Sequence, residues 1–288
     1  MTAGTKIGDT ALQPIPYRLR WRPESVFPGA HPGPGEGVEG EFRRHVSLLR
    51  RSDPRRIDLR ASLRDPFQDL RVREFAPRRS VPVAMLIDLS GSMGFGGAVA
   101  EQVARLGALI ALSARRSGDS FALFGCDARM REDVHLPFTR RAGIEDEVRR
   151  LLEGARMEGE GTEGLLEAAR RLPARRSLVF LVSDFLMPRA RVAALLDRLW
   201  RHDVVPVVAR HSAVEEGLPR WGLIETVDLE TRAHRLVLMR PSLRTRWLEV
   251  SRARRQALEE LFRQRGCRSF DLVDRLDTEA LARRLMAG

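Results

Sequence analysis

Lysine and tyrosine are almost absent from this chain of 288 residues. Lys6 is the only lysine among 50 basic residues, and Tyr17 is the only tyrosine. A net charge of +11 would suit a nucleic-acid-binding protein, but the arginines alternate with 39 acidic residues and little tyrosine is available to stack on bases. We therefore expect no nucleic-acid partner, and we keep nucleic-acid binding only as the weakest alternative function.

Long apolar runs and paired cysteines are lacking as well. The longest uncharged stretch, residues 89–100, is rich in glycine and shorter than the ~20 apolar residues that span a bilayer. The N-terminal residues have no apolar core behind a basic start, so they do not resemble a signal peptide. Cys126 and Cys267 have no Cys or His at metal-ligand spacing. We expect a cytoplasmic protein without membrane insertion, a disulfide framework or a structural zinc site.

Strand and helix patterns alternate from residue 80 onward. Residues 80–87 form a continuous apolar run that ends at Asp88, which is typical of a strand covered on both faces. Further strands are predicted at 119–127, 177–184 and 204–210, and helices at 98–118, 144–155, 162–172, 190–202 and 242–266. The sequence therefore predicts an α/β fold with a doubly wound, mostly parallel sheet flanked by helices.

The N-terminal part of the chain has a different character. Residues 1–40 are dense in proline and glycine, which indicates an irregular arm. Residues 70–75 alternate apolar and charged side chains, which indicates a short strand. We predict that residues 1–78 form an N-terminal arm and a small β-rich extension, and that residues 79–288 form the main α/β domain.

Oxygen-bearing side chains stand at the ends of the predicted strands, where open α/β sheets place their ligands. Asp88, Ser90 and Ser92 follow the first apolar run, Thr162 lies in a Gly-rich loop, and Asp184 ends a later strand. Carboxylates and hydroxyls are the donors that a hard cation such as Mg²⁺ prefers, and no histidine or thiol joins them. The sequence therefore predicts a site for Mg²⁺ or Mn²⁺ at these five residues.

Two other interpretations use the same residues. Asp88, Ser90 and Asp184 would be good N-caps for the helices that follow, with no ligand at all. Alternatively the carboxylates would belong to a metal-dependent hydrolase, although hydrolytic metal sites usually add a positioned base and a second metal or a histidine. Both alternatives remain open at the level of the sequence.

The chain combines an Asp-x-Ser-x-Ser segment at Asp88, a Gly-Thr loop at Thr162 and a strand-end Asp184. This combination resembles the metal-ion-dependent adhesion site of the von Willebrand factor A fold. The resemblance implies that Ser90, Ser92 and Thr162 bind the metal directly or through water. It implies that Asp88 and Asp184 act mostly through waters, and that an acidic side chain of a protein partner completes the metal's shell.

A second resemblance covers residues 51–75 and the site that follows them. The chain carries Asp53, Arg56 and the Ile57-Asp58 pair, followed by a basic strand. This order is similar to that of the prokaryotic A-domain family encoded beside MoxR-type AAA+ ATPases. That family usually has Trp where this chain has Leu59. The resemblance implies a non-enzymatic adaptor that works with such an ATPase on a client enzyme. The length and the expected lack of an anchor are similar to members from methanol-oxidation clusters, which implies methanol dehydrogenase as the client.

Overall fold

Strands and helices follow one another along the computed structural model, which describes residues 12–25, 27–33, 41–50, 54–94, 98–212, 217–227 and 234–287. The strands are β1 (His31–Pro32), β2 (Glu41–Ser47), β3 (Arg71–Ala76), β4 (Arg78–Arg79), β5 (Pro82–Asp88), β6 (Ser120–Cys126), β7 (Met130–Thr139), β8 (Leu178–Ser183), β9 (Asp203–Arg210), β10 (Gly222–Val227), β11 (His234–Met239) and β12 (Phe270–Val273). The helices are α1 (Leu59–Leu63), α2 (Ala98–Arg116), α3 (Ile144–Gly154), α4 (Gly164–Arg171), α5 (Arg189–Arg198), α6 (Pro241–Gln264) and α7 (Thr278–Met286). Within these described ranges no helix is both long and apolar enough to cross a membrane.

Six strands form the central sheet in the order β12-β9-β8-β5-β6-β7. β7 runs antiparallel to β6, and the other neighbouring pairs are parallel. Every residue of β5, β6 and β8 is buried, as expected for parallel strands covered on both faces. The predicted α/β fold with a doubly wound, mostly parallel sheet is confirmed.

The sheet separates two hydrophobic cores. Val83, Met85 and Ile87 of β5 pack in one core with side chains of α2, α3 and α7. Ala84 and Leu86 pack in the other core with side chains of α4, α5 and α6. Because successive side chains of a strand point to opposite faces, the uniformly apolar sequence of β5 contributes to both cores and fixes this strand in the middle of the sheet.

The chain changes direction across the sheet at β5. It passes from β5 to β6 on one side, and it later returns to β8 on the other side. The parallel register that pairs Ile87 with Val182 brings the last residues of both strands, Asp88 and Ser183, side by side. Ligand sites of open α/β sheets lie at such a switch point, at the carboxyl ends of the strands.

The antiparallel edge strand β7 is not among the elements predicted from the sequence. Its buried side chains Met130, Val134 and Leu136 alternate in part with exposed ones, the pattern of a half-buried strand. Pro137 lies near its end, where a missing backbone N–H is tolerated on an edge strand. The charged residues between the apolar ones hide this pattern in the sequence.

A small β-rich extension precedes the main sheet, as predicted. β2 and β3 pair antiparallel, and Asp58 caps α1 by accepting hydrogen bonds from the N–H groups of Arg60 and Ala61. Residues 51–53, including the predicted family position Asp53, lie outside the described residues. The predicted boundary at residue 78 stays a prediction.

The described part of the N-terminal arm packs on the main domain. Ile15 is buried in the core shared with α2, and its N–H donates to the Ser113 hydroxyl at 2.9 Å. The buried Asp119 carboxylate accepts hydrogen bonds from the Tyr17 hydroxyl and from the Val81 N–H, and it lies 2.7 Å from His31 Nε2. These contacts join the arm to the start of β5.

Candidate functional site

The first part of the site is the turn that follows β5. Asp88 is the last residue of the strand and is 1% exposed. Its Oδ1 accepts a hydrogen bond from the Ser90 N–H at 2.9 Å, which folds the chain back on the strand end. A 3-10 turn over Gly91–Gly94 then places Ser92, and the hydroxyls of Ser90 and Ser92 hydrogen-bond each other at 3.2 Å. The turn therefore collects one carboxylate and two hydroxyls.

The second part comes from the end of β8. The Ser183 hydroxyl donates to Asp88 Oδ2 at 2.7 Å and accepts a hydrogen bond from the Phe185 N–H at 2.9 Å. The adjacent Asp184 accepts from the Leu186 N–H at 2.9 Å and is also hydrogen-bonded to the Ser92 side chain. Serine hydroxyls thus join the two aspartates to one hydrogen-bonded cluster, which we call the aspartate–serine cluster (Asp88, Ser90, Ser92, Ser183 and Asp184).

Both carboxylates of the cluster are harder to ionise than free aspartate. Burial raises the pKa of Asp88 to about 6, and the neighbouring Asp184 carboxylate adds to the shift. Burial likewise raises the pKa of Asp184, while hydrogen bonds from Ser92 and Leu186 and the charge of Arg254 act in the opposite direction. A bound cation would stabilise the ionised forms of both carboxylates, because its positive charge compensates their negative charges.

The third part is the loop before α4. The Gly91 N–H donates to the Gly159 carbonyl at 3.0 Å, and the Gly159 N–H donates to the Leu89 carbonyl at 3.3 Å. A Cβ at Gly159 would lie 2.3 Å from the Cβ of Asp127, so only glycine fits this close approach. The loop is therefore fastened to the turn after β5, and it carries Thr162 toward the same edge of the sheet.

Thr162 itself has a cationic neighbour. Its side chain is buried, its hydroxyl lies 3.7 Å from Met187 Sδ, and it accepts a hydrogen bond from Arg191 Nη1 at 3.2 Å. The guanidinium of Arg191 also pairs with Glu163 at 2.7 Å. Four of the five predicted residues, Asp88, Ser90, Ser92 and Asp184, are joined by hydrogen bonds, whereas the Thr162 hydroxyl is bonded to Arg191.

Three residues of this region were not predicted from the sequence. Ser183 directly precedes Asp184, and the pairing of Ile87 with Val182 places it opposite Asp88, so knowledge of the parallel register would have identified it. Arg191 and Arg254 reach the site from α5 and α6. Nothing in the sequence distinguishes these two arginines from the many others.

The donor set fits a hard divalent cation. No group of three or more His, Cys, Asp or Glu side chains within the described residues is placed to bind a metal. The predicted residues instead offer two carboxylates and three hydroxyls, all oxygen donors of the kind that Mg²⁺ and Mn²⁺ take. Metal binding by Asp88, Ser90, Ser92, Thr162 and Asp184 stays a prediction.

Comparison with known proteins places the chain in a family. The model of the family described as "Protein of unknown function DUF58" matches residues 52–257. An uncharacterized protein in the moxR 3′ region of Paracoccus denitrificans is 38% identical over 95 residues, which cover 33% of this chain and 90% of that protein. An uncharacterized protein of Mycobacterium tuberculosis is 26% identical over 283 residues, which cover 94% of this chain and 86% of that protein.

Solved structures to which the chain is similar include BatB from Bacteroides thetaiotaomicron, a conserved hypothetical protein. It is 13% identical with a TM-score of 0.45, covering 71% of this chain and 96% of that one. A von Willebrand factor type A protein from Catenulispora acidiphila is 18% identical with a TM-score of 0.34, covering 46% of this chain and 34% of that one. Because the family model spans well over half of the sequence, the chain belongs to the DUF58 family of proteins of unknown function.

Proposed function

We propose that this protein is a non-enzymatic adaptor that binds an acidic side chain of a protein partner through Mg²⁺ or Mn²⁺. The observation that carries the proposal is the aspartate–serine cluster, in which two strand-end carboxylates are joined by serine hydroxyls at the switch point of the sheet. This position is the one at which open α/β sheets bind ligands. The cluster consists of carboxylates and hydroxyls, which are oxygen donors, and it contains no histidine.

In this proposal the hydroxyls of Ser90, Ser92 and Thr162 hold the metal, and Asp88 and Asp184 compensate its charge. The bound metal supplies a positive centre for the partner's carboxylate. Ser183 holds the Asp88 carboxylate in place, and the Leu186 N–H does the same for Asp184. Preorganised donors of this kind lower the cost of binding, because little side-chain freedom is lost when the ligand arrives.

The proposed partner system contains a MoxR-type AAA+ ATPase. The relative from Paracoccus denitrificans is described as a protein in the moxR 3′ region, and its sequence matches part of this chain. We propose that the ATPase performs the ATP-driven work, while this chain recognises the client complex. The similarity to MxaS, a member found in methanol-oxidation clusters, extends the proposal to methanol dehydrogenase as the client during its assembly or activation.

A pull-down of the tagged protein from its native lysate tests this function. Wild type is compared in Mg²⁺ and in chelator, together with Asp88→Ala in Mg²⁺ and Asp133→Ala as a control at an exposed aspartate. We expect a MoxR-type ATPase or a dehydrogenase subunit to be retained by wild type and Asp133→Ala in Mg²⁺ only. Equal retention in all four lanes would show that the metal is not required.

A parallel screen tests the non-enzymatic part of the proposal. Wild type is incubated with phosphoesters and peptides in Mg²⁺ or Mn²⁺, with Asp88→Ala as the comparison. We expect no turnover above that of Asp88→Ala. Turnover by wild type that Asp88→Ala abolishes would favour a metal-dependent hydrolase, because it would place a reaction at the same carboxylates.

A further inference from the structure

An apolar cavity of about 570 Å³ lies beside the aspartate–serine cluster. Asp184 and Ser92, two members of the cluster, are among its lining residues. It is also lined by Val208 and Ala209 at the carboxyl end of β9 and by Trp247 and Val250 of α6. The cavity and the predicted metal site therefore share two residues at the same edge of the sheet.

The wall of this cavity leaves large apolar side chains in contact with water. Leu186, which follows Asp184 by two positions, is 55% exposed, and on α6 Trp247 is 45% and Val250 is 62% exposed. A cluster of exposed apolar side chains that lines a concave surface is typical of a binding site rather than of an ordinary protein surface. Covering these side chains with an apolar group would remove their surface from water.

Arginines border the same cavity. Arg246, Arg254 and Arg255 of α6 are among its lining residues. Arg254 is held at the edge of the cluster, because its guanidinium donates to the backbone carbonyls of Phe185 and Met187, both at 3.3 Å. An apolar cavity bordered by guanidinium groups suits a ligand that combines an acidic group with an apolar one.

We propose that this cavity binds a bulky apolar side chain of the protein partner, next to the acidic residue that the metal site takes. The proposal rests on the proposed function, and it adds the residue type that accompanies the partner's carboxylate. Successive side chains of an extended segment point to opposite faces, and the segment advances ~3.3 Å per residue. Because Asp184 and Ser92 belong to both sites, the residue two positions from the partner's acid, which faces the same side, reaches the cavity. The recognised segment is therefore an Asp or Glu two positions away from a residue such as Leu, Met or Phe.

The test is a peptide array with a fixed central Glu, in which the two neighbour positions, two residues to either side of the Glu, carry each residue in turn. The full-length protein is presented as a streptavidin-bound tetramer in Mg²⁺, so that avidity makes weak binding measurable. Trp247→Ala removes part of the cavity wall. Trp200→Ala is the matched control, because this tryptophan is 73% exposed but lies after α5, near the amino end of β9 and away from the cavity.

For wild type and Trp200→Ala we expect peptides with a bulky apolar neighbour to bind about tenfold more strongly than those with Ser or Gly, as burial of one such side chain allows. Trp247→Ala should lose most of this preference while still requiring Glu and Mg²⁺. Binding that depends on Glu and Mg²⁺ without a preference for the neighbour would overturn the cavity proposal and leave the proposed function standing. Absence of any peptide binding would overturn both, and competition by decanoate but not by acetate, without a neighbour preference, would assign the cavity to a fatty acid instead.

Discussion

Asp88 is costly to hold ionised in the folded protein. It is almost completely buried, and its two oxygens accept hydrogen bonds from Ser90 and Ser183. These bonds favour the ionised form, but burial and the neighbouring Asp184 outweigh them and raise the pKa of Asp88 to about 6. A group whose pKa is higher in the folded protein than in the unfolded chain stabilises the fold only while it is protonated.

Stability of the metal-free protein should therefore depend on pH through Asp88. The contribution of its protonated form is complete below the unfolded value of 3.8 and is lost as the pH rises through about 6. In chelator, the free energy of unfolding of wild type relative to Asp88→Asn should fall by up to about 3 kcal/mol between about pH 4 and about pH 7. Urea unfolding of both proteins across this range measures the difference, and a constant difference would contradict the assignment.

Arg191 should weaken metal binding at Thr162. Its guanidinium is bonded to the hydroxyl that the metal would use, and like charges at short range repel. We expect Arg191→Gln to bind Mg²⁺ about tenfold more tightly than wild type, which corresponds to about 1.4 kcal/mol. Calorimetric titration measures the affinity for Mg²⁺, with Arg198→Gln on the same helix as the control. Unchanged or weaker affinity in Arg191→Gln would show that Arg191 does not oppose metal binding.

The strands and loops that position the site were only partly predictable from the sequence. The apolar runs of β5 and β8 predict these two buried strands, and the polar residues that follow them were correctly placed at one edge of the sheet. The helix predicted from Thr162 begins at Gly164, so Thr162 belongs to the loop. The backbone contacts of Gly159 with Leu89 and Gly91 were not predictable, because long-range pairing of a loop leaves no periodic pattern in the sequence.

Substitution of Gly159 tests how the loop that carries Thr162 is held in place. Alanine at this position would bring its Cβ to 2.3 Å from the Cβ of Asp127, so the loop has to move. We expect Gly159→Ala to lose about 1–3 kcal/mol of unfolding free energy, the usual cost of overpacking, together with affinity for Mg²⁺. Gly154→Ala is the matched control, since a Cβ there meets nothing within 4 Å. Equal behaviour of the two variants would contradict the described role of the loop.

At the scale of the whole molecule, the chain combines an α/β body with a net charge of +11. The fold class followed from the alternation of apolar strands and amphipathic helices. By contrast, the packing of the described arm residues on the body depends on single buried contacts such as that of Tyr17 with Asp119. Composition cannot reveal such contacts, because a proline- and glycine-rich arm has the same composition whether or not it is docked.

Basic charge should contribute to recognition of the partner. The net charge of +11 is carried almost entirely by arginine, which suits an acidic partner surface. We expect the proposed complex with a MoxR-type ATPase to weaken about tenfold when the salt concentration is raised from about 0.05 M to about 0.5 M. Surface plasmon resonance at a series of salt concentrations measures this. An affinity independent of salt would contradict an electrostatic contribution, whatever the outcome for the metal.

The central claim is that the strand-end aspartates and hydroxyls form one divalent-cation site. Electron paramagnetic resonance of free Mn²⁺ tests it most directly, because the signal of the free ion decreases as the ion binds the protein. The account predicts one Mn²⁺ per wild-type chain, displaced by excess Mg²⁺, with binding lost in Asp88→Asn and Asp184→Asn and kept in Asp133→Asn. Equal Mn²⁺ binding by all four proteins, or none by wild type, would contradict the account.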